Sequence, residues 1–144
     1  MIEEDTVKLL RECDAGVKMG IQSIEDVQEQ VEDPQFHQCL TACKREHDKL
    51  HDEIQKRLSD CGDAGKNPPA MASAMSKMKT GLMMTMHPDD PTIADLMTDG
   101  CNIGVKSLNR YLNQYEAADE NAKDIAKRLI HLEAQLAVDM RPYL

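Results

Sequence analysis

The sequence predicts an all-α fold of two long helical hairpins, and three observations predict it. Apolar residues recur at steps of three, four or their sum in Leu10, Cys13, Val17, Ile24 and Val31, in Phe36, Leu40, Cys43, Leu50 and Ile54, and in Ala122, Ala126, Leu129, Leu136 and Met140. That spacing belongs to helices buried along one side. Asp33-Pro34 and Asp90-Pro91 each join an N-cap residue to a proline suited to the first helical position. The two halves also repeat: Gly16-Val17-Lys18 matches Gly104-Val105-Lys106 at an offset of 88, as does Cys13 with Cys101, and the second and last stripes match at 86.

In chain order, the first helix is expected from about Glu4 to Val31, opened by acidic residues that suit the positive end of its dipole. Gly16 and Gly20 inside it each cost about 1 kcal/mol against alanine, which points to a close helix crossing. The Asp33-Pro34 signal starts the second helix after a very short turn, so the two are antiparallel neighbours. It ends near Cys61-Gly62, and the loop to Pro69 follows. A shorter, Met-rich helix is predicted from about Pro69 to Met86 in the crossover, with Met71, Met75, Met78, Leu82 and Met86 on one side. After His87 to Pro91 a long helix runs to about Ala117, and the last, from about Asp119 to Met140, is stopped by Pro142.

Composition narrows the function classes. A chain of 144 residues has the length of one domain, and ten Met, one Phe, three Tyr and no Trp are poor material for a β-sandwich. The net charge of −9 argues against a nucleic-acid partner, whose phosphates require Lys/Arg clusters. No apolar run of eighteen residues and no signal-peptide pattern is present, so neither a membrane partner nor export is expected, and the default compartment is cytoplasmic. Five cysteines without framework or zinc-knuckle spacing fit reduced thiols there, with Cys13 and Cys101 close to one another if the repeat is a two-fold.

The candidate site lies at the centre of the repeat. His47 sits mid-stripe in the second helix, and Glu133 holds the same place in the last helix, 86 residues later. Both are aimed at the core. A buried carboxylate requires a donor or a metal opposite it, so His47 and Glu133 are expected to meet in the interior. Cys39, Cys43, His47 and His51 stand four apart, and adjacent pairs suit a soft ion, but steps of four drift around a helix and all four cannot converge. No nucleophile–base–orienter set or phosphate loop is apparent.

Two long hairpins joined by a long connection, with inward polar residues at mid-bundle, resemble the ferritin-like superfamily. More narrowly, the run Cys39-Leu40-Thr41-Ala42-Cys43-Lys44-Arg45-Glu46-His47 and the stretch from Asp99 to Leu112 resemble an uncharacterised bacterial family of ferritin-like domains. Di-iron members supply a Glu from each of two helices and a Glu-x-x-His from each of the other two. Here Lys44 stands three before His47, Ile130 and Leu136 flank Glu133, and the inward positions Cys13, Val17 and Gly20 with Cys101, Val105 and Leu108 carry no carboxylate. The resemblance therefore implies a ferritin-like four-helix bundle with a degenerate di-iron site and no enzymatic activity, self-associating as a homodimer and needing no cofactor. Two other readings stand beside it. One is a transition-metal-binding protein that holds a single Fe, Zn or Cu ion through His47, Glu133 and Cys43; the other is an interaction module that offers the Met face to a partner helix.

Overall fold

A computed structural model of the chain describes residues 3–68 and 88–144. The described residues form four long helices, α1 (Glu4–Gln28), α2 (Pro34–Asp60), α3 (Asp90–Gln114) and α4 (Glu120–Met140), and a closing 3-10 turn, Arg141–Tyr143. No strand occurs among them. The predicted Met-rich helix lies outside the described residues.

Three of the four starts are capped as the local chemistry requires. The Asp33 carboxylate accepts from the backbone N–H of Gln35 and Phe36, that of Asp89 from Thr92, and that of Asp119 from Ala122. Asp33 stands just before Pro34 as expected, but the N-cap of α3 is Asp89 and not Asp90: Asp90 is the first helical residue, Pro91 the second, and the Asp90 carboxylate is turned to the α1–α2 turn instead. Two ends fall earlier than expected. α1 stops at Gln28, because Gln30 and Val31 close a tight turn through bonds to the carbonyls of Val27 and Gln28, and the Asp90 carboxylate accepts from the backbone N–H of Glu32 and Asp33 at 2.9 Å each. α3 stops at Gln114, and the following turn is tied to α1 through Ala117 N–H to Asp5 and Asp119 N–H to Thr6.

α1 packs along α2 and α3 along α4, and the two hairpins join through α1 with α3, α2 with α4 and α1 with α4. α2 and α4 run antiparallel: Arg57 near the end of α2 donates to Asp119 at the start of α4 at 2.8 Å, and Glu53 accepts twice from Arg128, at 2.6 and 2.8 Å. α2 thus ends beside the start of α4, while α3 begins beside the α1–α2 turn.

The core has two parts. One gathers Leu9, Leu10, Cys13, Val17, Ile54 and Leu129; the other gathers Ile24, Phe36, Leu40, Ile93, Cys101 and Met140. His47 and Glu133 lie between them, since Leu40 and Leu50 flank the one along α2, and Leu129 and Leu136 flank the other along α4.

The spacing between the hairpins corrects the sequence alignment. The N-caps Asp33 and Asp119 and the first residues Glu4 and Asp90 are each 86 apart, but the buried α3 residues Ile93, Ala94, Met97, Cys101, Gly104 and Leu108 follow Leu9, Leu10, Cys13, Val17, Gly20 and Ile24 at 84. The sequence match at 88 is one helical turn away, a shift that keeps nearly the same face and so is invisible to a stripe. As a result Cys13 and Cys101 fall in different core clusters, and Gly104 rather than the half-buried Val105 points inward.

Candidate functional site

His47 and Glu133 meet. The ring of His47 is 0% exposed, and its Nε2 lies 3.1 Å from Glu133 Oε1. Its other nitrogen, Nδ1, lies 2.9 Å from the backbone carbonyl of Cys43 and 3.5 Å from the Cys43 sulfur. A carbonyl oxygen only accepts, so Nδ1 carries a hydrogen. The remaining proton lies between Nε2 and the carboxylate. Burial disfavours a charged ring, but the contact with Cys43 and the Glu133 carboxylate outweigh it, and the pKa of His47 is pushed up to about 10. The pair is therefore an imidazolium donating from both nitrogens, with a carboxylate as counter-ion.

Glycine makes the space for it. A Cβ at Gly20 would stand 2.7 Å from two atoms of the His47 ring and 3.2 Å from Glu133 Oε1, and one at Gly104 would stand 3.5 Å from Glu133 Oε2. The crossing expected at Gly20 is thus a side chain laid on bare backbone rather than two backbones in contact. Gly16 makes only ordinary contact, with Leu129 at 3.5 Å.

The donors named from the sequence are only partly assembled. Glu133 lies on the Nε2 side of the His47 ring and Cys43 on the Nδ1 side, so the ring stands between them and the three do not converge on one point. Cys101 does lie beside Glu133; burial and that carboxylate hold its thiol protonated, well above the ordinary range. From the sequence it is an inward position expected near Cys13, with nothing to pair it with Glu133. Among the described residues no group of three or more His, Cys, Asp or Glu side chains is arranged to hold a metal ion. The positions of α1 and α3 found against the pair, Gly20, Gly104 and Cys101, carry no carboxylate, whereas a di-iron pair draws one from each of those helices.

His51, four residues beyond His47, turns elsewhere. It faces Asp14, which is 0% exposed and was not anticipated from the sequence. Asp14 accepts from Gln55 at 2.6 Å and from the backbone N–H of Lys66 at 3.0 Å, and it pairs with Lys18 at 2.7 Å. It anchors the start of the crossover to α1. Gly65 passes over it at a φ of 92°, where a Cβ would collide with the carboxylate.

A cavity of about 40 Å³ adjoins the pair, lined by Gly16, Gly20, Met97, Gly104, Ser107 and Tyr111 among others. An open cleft between α2 and α4 is lined by charged side chains, and the Arg128–Glu53 ion pair satisfies two of them. No helix of the described residues is long and apolar enough to cross a membrane. Comparison of the chain with protein-family models, with curated proteins and with solved structures gives no match.

Proposed function

We propose that this chain is a non-enzymatic protein of ferritin-like design, in which the position of an ancestral metal centre is taken by a hydrogen-bonded histidine–carboxylate pair. The observation that carries the reading is the contact between His47 and Gly20. Where a di-iron bundle projects a ligand from that helix, the His47 ring occupies the space that any Cβ would need. The cavity beside the pair supports it as well, since about 40 Å³ has room for a few water molecules and none for a drug-sized substrate. On this reading the protein acts through its surface and associates with a second copy of itself. Ile103 on α3 and Val138 on α4, 46% and 42% exposed, are large apolar side chains that such an interface would cover.

The test is metal analysis of protein purified without an affinity tag, followed by anaerobic addition of ferrous iron and then of dioxygen. The expected result is no stoichiometric metal and no oxygen uptake beyond that of buffer. Two irons per chain with iron-dependent oxygen consumption would overturn the proposal, and one tightly held ion lost in a Glu133→Gln variant would favour single-ion binding. Self-association is checked by sedimentation, where a dimer is expected and an Ile103→Glu/Val138→Glu double variant should shift it to monomer.

A further inference from the structure

The five cysteines are all free, and their surroundings separate them. Cys13 is buried, and burial pushes its thiol up to about 12. Cys101 is buried beside Glu133 and raised further. Burial and Asp139 push the partly exposed Cys39 up to about 11. Cys61 is partly exposed at the C-cap of α2. Cys43 differs from all of them. It is partly exposed, and its sulfur lies 3.5 Å from Nδ1 of His47, whose far nitrogen is held by Glu133 at 3.1 Å. The Nδ1 hydrogen is given to the Cys43 carbonyl at 2.9 Å, and the sulfur stands beside that same edge of the ring at 3.5 Å. The other charged group next to Cys43 in the chain, Lys44, is paired with Asp48 and Glu25.

Nucleophile, imidazolium and orienting carboxylate thus stand in order from the partly exposed side of α2 to the buried side of α4, the arrangement that activates thiols in general. We propose that Cys43 is the reactive thiol of this protein, a site of covalent modification by small soft electrophiles, with His47 beside its sulfur assisting the attack and Glu133 as the positioning residue that holds the His47 ring. With an alkyl halide, the sulfur attacks carbon, the C–S bond forms and the halide leaves with the bonding pair. With a hydroperoxide, the S–O bond forms as the O–O bond breaks. Sulfur is then oxidised to a sulfenic acid, the peroxide is reduced to an alcohol, and the leaving alkoxide takes its proton from solvent.

The experiment is sub-stoichiometric iodoacetamide labelling of the folded, reduced chain, with each cysteine followed by peptide mass spectrometry. Cys43 is expected to react roughly tenfold faster than Cys61, the scale of gain from an imidazole placed beside a nucleophilic sulfur. Glu133→Gln and His47→Gln are each expected to bring Cys43 down to the rate of Cys61 and to leave Cys61 unchanged. Labelling of Cys13 and Cys101 reports any variant that unfolds, and the ranking in the wild-type chain then decides. Cys43 reacting no faster than Cys61, or keeping its rate in a folded variant of either partner, would overturn the assignment.

Discussion

Truncating His47 to alanine removes one half of a buried pair and leaves the other half in place. The charge-assisted hydrogen bond from Nε2 to Glu133 is worth about 1.5–3 kcal/mol. The carboxylate left behind in an apolar layer raises the total for breaking such a pair to about 3–5 kcal/mol. Two features of the structure place the expected cost near the lower end, about 3 kcal/mol. The Glu133 side chain keeps 12% exposure, so water reaches part of it, and the Cys43 carbonyl loses only the ring as its acceptor role in the helix continues. Replacing both His47 and Glu133 by leucine leaves no charge to desolvate and joins the two core clusters, so that variant should lie within about 1 kcal/mol of wild type or above it. Urea unfolding at neutral pH, followed by far-ultraviolet circular dichroism, measures both. A His47→Ala variant as stable as wild type would refute the pairing, and a double-leucine variant as unstable as the single one would refute the view that the pair is exchangeable with apolar packing.

The glycines separate by their neighbours. Gly16→Ala should stabilise by about 0.5–1 kcal/mol, the helical gain with ordinary contacts, whereas Gly20→Ala drives a methyl into the His47 ring and should destabilise by about 1–3 kcal/mol. Thermal unfolding of the two variants side by side checks the opposite signs. Asp14→Ala strips a buried acceptor from Gln55 and the Lys66 N–H and should cost about 2 kcal/mol, with limited proteolysis then cutting first after α2. The pH dependence has a defined direction: because the His47 pKa is raised from 6.5 to about 10 on folding, its contribution is complete below about 6.5 and is lost as pH rises towards 10. Stability should fall across that window, and the slope should flatten in the double-leucine variant. The Cys13 thiol, raised from 9.0 to about 12, adds a loss of the same sign only above about 9.

The helices were legible because each has an apolar stripe, and because at the starts of α2 and α3 an aspartate and a proline agreed with that stripe. Their ends were less so. Val31 continues the stripe of α1 and is buried, yet it lies in the turn, because nothing in the stripe reports that the Asp90 carboxylate from the other hairpin will claim the N–H groups of Glu32 and Asp33. The end of α3 was missed for the same reason, since Asp5 and Thr6, more than a hundred residues away, bind the turn that follows it.

The meeting of His47 and Glu133 was legible for a reason that does not depend on the helical register. Each is a polar residue in the middle of an otherwise apolar stripe, and two such residues on neighbouring helices lower the cost of burial only by finding each other. What surrounds them was not legible, because it depends on how α1 and α3 are placed along their axes, and a shift of one turn preserves the stripe. The alignment at 88 put Gly16 opposite Gly104, where the buried faces put Gly20. That single turn decides the chemistry of the centre. At Gly20 bare backbone admits the imidazole ring against α1, so the ring is aligned with Glu133 on one side and with Cys43 on the other. A side chain at position 20 would displace the ring from that line, separating the carboxylate from its donor and the sulfur from the ring in the same movement.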